Sequence, residues 1–269
     1  MTAAPNASEA TPDYPGALRL DGRGFVVLGA GQGMGAQSCY ALRQAGADLL
    51  CVDSDAGRAT AIARETGGEA LVADVTKRVD MAAVFDRASV LFGGEFTGVV
   101  DIVGIAGTSP IAAITDESWA FQYDIVLKHA LYALQIAAPM LARNGGGSMT
   151  FIGSISGAVA IANQSAYGSA KAALHHLIRM AALEFGPQGV RVNGIAPGIV
   201  RTPRLENILG TEAWKSLAEI NWLGRVADPS DIARVVLFLA SGLAQYVNGN
   251  ILMLDGGISN GVPMTIPRR

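Results

Sequence analysis

Tyr167 and Lys171 stand four residues apart in a segment, Ser165 to Phe185, that reads as a helix, so both side chains emerge on one face. A neighbouring ammonium favours the phenolate, and Lys171 is expected to pull Tyr167 down from its reference pKa of about 10. A tyrosine tuned in this way is a general acid/base. Ser154 follows an apolar run at what reads as the carboxyl end of a strand, the edge where open α/β sheets place ligands. Its hydroxyl can orient a carbonyl or alcohol oxygen beside Tyr167. The same Tyr-x-x-x-Lys spacing also arises on solvated helix faces, so the pair alone defines no site.

A second constellation lies near the amino end. The run Phe25 to Leu28 leads straight into Gly29-Ala30-Gly31-Gln32-Gly33-Met34-Gly35 and then into a helical pattern. Glycines at a strand-to-helix turn let the backbone approach a pyrophosphate, and the helix start supplies free N–H groups. A turn that merely packs helix against strand has the same composition. The next apolar run ends in Asp53, placed to accept the adenosine ribose hydroxyls and to repel a 2′-phosphate. Gln32 adds no positive charge, and Arg58 is the nearest base after Asp53, so NAD is expected over NADP. The other reading of Asp53 is a turn or cap residue.

These residues need a scaffold, and the pattern of the chain supplies one. Short apolar runs at Phe25–Leu28, Leu49–Val52, Ala70–Val72, Gly98–Val103, Ser148–Ile152, Val190–Ile195 and Ile251–Leu254 alternate with helical periodicity near 33–46, 55–66, 78–92, 116–143, 166–186 and 229–241. That is the alternation of βαβ units, and it predicts a single α/β domain over 19–260: a Rossmann-type, doubly wound parallel sheet of seven strands with helices on both faces. The last helix has a marked start at Asp228-Pro229-Ser230-Asp231. Residues 203–227 fit no strand and are expected to form short helices as a substrate lid. Residues 1–18 read as a disordered leader, and 261–269 as an apolar tail.

Composition narrows the function further. The 269-residue chain is half apolar and carries a net charge of −3, with its basic residues scattered, which does not point to nucleic acid. Two cysteines, Cys39 and Cys51, and three histidines, His129, His175 and His176, show no metal-ligand spacing. The leader has no basic n-region or apolar h-region. The apolar stretch Ile125–Ala142 is interrupted by Lys128, His129 and Gln135, so no membrane span is expected and the protein reads as cytoplasmic.

Taken together, the turn Gly29–Gly35, Asp74-Val75, Ser154, Tyr167-Gly168-Ser169-Ala170-Lys171, Arg191-Val192-Asn193-Gly194-Ile195-Ala196-Pro197-Gly198 and Tyr246-Val247-Asn248-Gly249 through Asp255-Gly256-Gly257 resemble the short-chain dehydrogenase/reductase family, over about residues 20–260. Ser154 precedes Tyr167 by thirteen positions, as the family's serine does. The resemblance implies that Tyr167 exchanges the proton, that Lys171 lowers its pKa and holds the nicotinamide ribose, and that Ser154 positions the substrate oxygen. It also implies that Asp74 and Val75 flank the adenine, and that Val200 and Thr202, after Pro197, meet the carboxamide. On the residues alone, Asp74 is equally a helix cap, and Val75 and Val200 are core.

Two departures stand out. Where the family has Asn-Asn-Ala-Gly, this chain has Gly104-Ile105-Ala106-Gly107, so a cofactor contact at Ile105, Ala106 or Gly107 falls to the backbone. The helix asparagine that holds a proton-relay water in the family aligns with Val126. Gln122, one turn earlier, is a possible replacement; solvent or a neighbouring subunit is the preferred surrounding for it. The broken relay is expected to slow the chemistry without abolishing it.

Expected pocket residues are Thr108–Pro110, Ile155 and Ser156, Ile161–Gln164, and lid residues from Leu205 to Trp222 that include Trp214. Their apolar character suits a hydrophobic alicyclic, aromatic or steroid-like alcohol or ketone. Ordinary packing explains each of them equally well taken singly. The apolar faces of helices 116–143 and 166–186, with the resemblance, imply a homotetramer. An NAD-dependent oxidoreductase is the reading favoured; a dinucleotide-binding scaffold or regulatory subunit is the alternative.

Overall fold

The computed structural model describes residues 11–261. Seven parallel strands form one sheet: β1 (Gly24–Leu28), β2 (Asp48–Asp53), β3 (Glu69–Val72), β4 (Phe96–Asp101), β5 (Gly147–Ile152), β6 (Val190–Pro197) and β7 (Ile251–Leu254), in the spatial order 3-2-1-4-5-6-7. The chain moves outward from β1 to β3 and then returns to β4 on the other side of β1. That reversal opens a crevice above the carboxyl ends of β1 and β4, where such sheets bind ligands.

Strand residues alternate between two cores, as the two-residue side-chain period requires. Phe25 and Val27 face one cluster, with Cys39, Leu42, Ile232, Val236 and Leu239 from the helices α1 (Met34–Gln44) and α9 (Pro229–Ala240). Val26 and Leu28 face the other, with Val84, Phe85, Ala133, Leu141, Leu174 and Ile178. These come from α3 (Arg78–Phe92), α5 (His129–Arg143) and α6 (Ser165–Phe185); α2 (Ala56–Thr66) completes the first face. Burial on both faces explains why the strands read as continuous apolar runs.

Local chemistry sets the helix ends. Asp55 accepts the Arg58 N–H at 2.8 Å at the start of α2, and Asp231 accepts the Asp228 N–H at 2.9 Å at the start of α9. The helix expected over 116–143 is divided: α4 (Asp116–Tyr123) passes through a π-helical turn at Asp124–Lys128 before α5 begins. By length and composition Asp116–Arg143 could cross a membrane. Here Ala130, Ala133, Ala137, Ala138 and Leu141 are instead buried against the sheet, and that burial accounts for the apolar stretch.

Residues 203–227, the expected lid, hold two short helices, α7 (Pro203–Glu206) and α8 (Thr211–Glu219). It leaves and rejoins the body at one point, because Val200 pairs with Ala227 and the Arg201 N–H donates to the Ala227 carbonyl at 2.8 Å. Asn221 ties its far end down through a 2.9 Å bond to the Asp255 carbonyl. Of the expected leader, residues 1–10 lie outside the described residues, and Gly16–Leu18 form one 3-10 turn. Residues 262–269 of the expected tail also lie outside them.

Candidate active site

Strands β1 to β6 each deliver a loop to the same carboxyl edge, and the sequence-selected residues fall on those loops and on α6. The glycine turn follows β1. Gly29 and Ala30 both donate to the Val52 carbonyl at 2.9 Å, which fixes the turn against β2. A Cβ on Gly35 would collide with the Gly29 carbonyl oxygen, so only glycine lets α1 start this close to the strand end. Gly33, the N-cap of α1, has φ 57° and offers no capping side chain; the Gly35 N–H donates to the Gln32 carbonyl at 3.1 Å, which leaves the amides of Met34 and Ala36 to an anion. This cradle fits a dinucleotide pyrophosphate; Gln32 is exposed, while Gly33 and Met34 are half-buried.

At the end of β2, Asp53 is buried and braces the turn. Its carboxylate accepts the Gly31 N–H at 2.9 Å and the Asp55 N–H at 3.0 Å, and Arg58 lies 3.3 Å away. Asp74 accepts both the hydroxyl and the N–H of Thr76, bonds that hold its carboxyl below the usual carboxylate range. Val75 and Val200 are buried. Pro197 closes β6, and Thr202 caps α7 through the Leu205 N–H. A Cβ on Gly33 would lie 3.4 Å from Pro203 and 3.6 Å from Thr202, so the lid root sits beside the glycine turn.

Ser154, Tyr167 and Lys171 meet above β5. Ser154 Oγ accepts the Ser156 N–H at 3.1 Å and lies 3.2 Å from Ser156 Oγ, which in turn donates to Gln164 at 2.6 Å. Lys171 is 2 % exposed; its ammonium donates to the Ile152 carbonyl at 2.6 Å and lies 5.7 Å from the centre of the Tyr167 ring. Burial lowers the Lys171 pKa to about 8, against an opposing pull from the Asp101 carboxylate. The expected direction for Tyr167 is corrected: burial pushes its phenol up, and the counteracting pull is the Ser154 hydroxyl, with Lys171 making no comparable contribution. Lys171 is turned toward the sheet, with its ammonium held at the Ile152 carbonyl while it lies over the Tyr167 ring.

Gln122 is also corrected. It is buried rather than solvated, and its side-chain oxygen accepts the Gly107 N–H at 3.2 Å, so it holds the loop after β4. Val126 lies wholly buried in the π turn. Ile105 is 37 % exposed, Ala106 is exposed and Gly107 half-buried. The loops after β4 and β5 join where Ser109 pairs with Gln164 and donates to the Asn163 carbonyl at 2.7 Å. Asn163 takes φ 61° to make that junction, a conformation asparagine tolerates. Ile155 is buried, Ile161 exposed, and Trp214 buried beneath the Arg201 guanidinium, 5.0 Å away.

Three functional positions escaped the sequence reading. His175, one turn after Lys171, accepts the Ser154 N–H. Asp101, at the end of β4, pairs with buried His129. In the sequence both histidines lack metal-ligand spacing, and Asp101 lies inside the apolar run Gly98–Val103. A carboxylate at the carboxyl end of a buried strand was the available signal.

A parallel sheet reversed at β1 and β4, with a glycine cradle and a Ser-Tyr-Lys set at the crevice, defines a Rossmann-type oxidoreductase that uses a nicotinamide dinucleotide. A family model described as enoyl-(acyl carrier protein) reductase matches residues 29–259. Galactitol 2-dehydrogenase (L-tagatose-forming) of Cereibacter sphaeroides is 34% identical over 91% of this chain and 98% of its own. A solved 7α-hydroxysteroid dehydrogenase, in complex with NADH and 7-oxo glycochenodeoxycholic acid, is 31% identical with a TM-score of 0.86, covering 91% of this chain and 98% of that one. A gluconate 5-dehydrogenase of Burkholderia cenocepacia, with NADP and tartrate, is 25% identical with a TM-score of 0.86, over 91% and 98%. The chain belongs to the short-chain dehydrogenase/reductase family.

Proposed function

We propose that this protein is an NAD-dependent dehydrogenase/reductase that interconverts a hydrophobic secondary alcohol and its ketone. The observation that carries the reading is the convergence of Ser154, Tyr167 and buried Lys171 on one strand end beside the glycine cradle. When bound, the dinucleotide supplies or accepts the hydride. The chain's own residues do the rest: Tyr167 Oη gives or takes the proton on the substrate oxygen, Ser154 Oγ orients that oxygen, and Lys171 holds the nicotinamide ribose. The cradle Gly29, Gln32, Gly33, Met34 and Gly35 binds the pyrophosphate. Asp74 and Val75 border the adenine, Ile105, Ala106 and Gly107 contribute backbone, and Pro197, Val200 and Thr202 meet the carboxamide.

Asp53 supports NAD, since a buried carboxylate at the end of β2 accepts ribose hydroxyls and repels a 2′-phosphate. Arg58 beside it is the one feature that favours NADP. Apolar side chains on the loops around Ser154 support a hydrophobic substrate: Ile105, Val159, Ile161 and Ile199 are each between 36 and 38 % exposed. Trp214 and the lid complete that wall, with Ile155 and Gln164 at its base. An alicyclic, aromatic or steroid-like alcohol suits it. The relatives' polyol and steroid substrates mark the two ends of the range to test.

The domain is one catalytic unit over 19–260, with 203–227 as lid, and it works in the cytoplasm as a homotetramer. A groove of about 490 Å³ between the π turn, α5 and α6, lined by Leu127, Leu131, Ala173, Leu177 and Met180, supports a second copy packing there. The test is a panel of secondary alcohols and ketones, followed through the absorbance of the reduced nicotinamide with both cofactors. Faster turnover of apolar ring alcohols with NAD is the expected result; preference for NADP, or for polyols, would overturn the corresponding part.

A further inference from the structure

Lys171 is an ammonium buried between the ends of two strands, and its immediate neighbours do not explain how it stays charged. The Ile152 carbonyl takes one of its three protons. Gly104 lies so close that a Cβ there would sit 3.2 Å from Nζ, yet neither Gly104 nor Ile105 brings a polar side chain. Transfer of an unpaired ammonium out of water is costly enough that such groups ordinarily deprotonate.

The counter-charge lies one strand away. Asp101 ends β4 in register with Phe151, the residue before Ile152, so it occupies the sheet edge next to the carbonyl that Lys171 grips. It is 2 % exposed, and one oxygen accepts the Val103 N–H at 3.0 Å. Behind it, His129 Nε2 lies 3.1 Å from both carboxylate oxygens, with both side chains 1 % exposed. His129 Nδ1 is buried and has no hydrogen-bond partner among the described residues. The Nε2–H tautomer therefore donates to Asp101 Oδ1, while Oδ2 has no hydrogen-bond partner among the described residues, and a proton on Nδ1 would be a buried donor without an acceptor. The imidazole thus holds Asp101 through Nε2.

We propose that Asp101, held by His129, is the positioning residue of the catalytic site: the fixed negative charge that keeps buried Lys171 protonated and anchored at the Ile152 carbonyl. This rests on the reading of Ser154, Tyr167 and Lys171 given above. The pull of Asp101 on Lys171 already runs in that direction, against burial. Other titratable groups around the ammonium are Tyr167 and His175 on its own helix, and His129 behind Asp101 on α5; β5 contributes only a carbonyl. His175 stands on the other side of the balance from Asp101, since the Lys171 ammonium disfavours a proton on its ring.

The test is the pH dependence of ketone reduction and, separately, of NADH binding by nicotinamide fluorescence, in the wild type and in Asp101→Asn. The near-isosteric change removes the charge and turns one acceptor oxygen into an NH2 donor. Both alkaline limbs are expected to move down by about one pH unit, the lower end of the effect of an adjacent opposite charge. A folded Asp101→Asn whose limbs coincide with the wild type overturns the proposal. Should Asp101→Asn not fold, His129→Leu, which keeps the charge but frees it, decides in the same way: limbs moved down support the proposal, and unmoved limbs overturn it. If the wild type turns over no alcohol or ketone with either cofactor, the catalytic reading fails, while the NADH-binding limb still decides the role of Asp101.

Discussion

The Ser154 backbone N–H donates to His175 Nε2 across 3.4 Å, so Ser154 hangs from a histidine on the helix that carries Tyr167 and Lys171. A ring nitrogen that accepts a hydrogen bond cannot also hold a proton. Burial, with Lys171 and Arg179 nearby, lowers the His175 pKa from 6.5 to about 4.

That depression has a definite sign in acid. Between pH 6.5 and about 4 the unfolded chain binds a proton that folded His175 refuses, so its contribution to stability is complete above 6.5 and is lost as pH falls through that window. Urea unfolding of the wild type should therefore weaken over this range more steeply than that of His175→Asn. Equal slopes would show that the ring is not held neutral.

Asp53 braces the glycine turn and, in the proposed function, accepts the ribose hydroxyls. Asp53→Asn should reduce kcat/KM with NAD by about ten- to a hundredfold, on the scale of a charge-assisted hydrogen bond, and should narrow the preference over NADP. Arg58, released from its 3.3 Å pairing, reinforces that change. Steady-state kinetics with both cofactors checks it, and an unchanged cofactor ratio would contradict the assignment.

Gln122 holds Gly107, while Lys171 is bonded to the Ile152 carbonyl. Gln122→Ala should leave a donor unpaired and lower stability by about 1–3 kcal/mol. The pH profile of turnover should stay in place while KM rises as the loop after β4 loosens. A displaced pH profile would make Gln122 part of a proton relay instead.

Trp214 is buried under Arg201, where an aromatic wall suits a ring substrate. Trp214→Ala should raise KM for alicyclic substrates more than for short alcohols, by about tenfold or more given the apolar area removed. Equal effects on both would assign Trp214 to lid packing alone.

Most of the scaffold was legible because both sheet faces are covered. Continuous apolar runs such as Phe25–Leu28 have no other stable use between helical segments, and the Asp228–Asp231 start marked its helix by charge and proline. The cofactor cradle was legible because glycine is demanded by close approach, which leaves a trace in composition. What remained hidden were interactions across long separations. The bond between Gly107 and Gln122, the pair Asp101 and His129, and the turn of Lys171 toward Ile152 rather than toward the phenol each depend on how α4, α5 and α6 stand against the sheet. The π turn at Asp124–Lys128 has no residue signature of its own, so helical periodicity ran straight through it.

The central claim is that the Tyr167 hydroxyl moves the proton on the substrate oxygen. Tyr167→Phe removes that oxygen and little else. With the best ring alcohol found and NAD at saturation, kcat should fall by about 10²–10⁴-fold, the usual worth of a positioned acid/base, while NADH binding stays within a few-fold of the wild type. A Tyr167→Phe protein that keeps wild-type turnover would contradict the account.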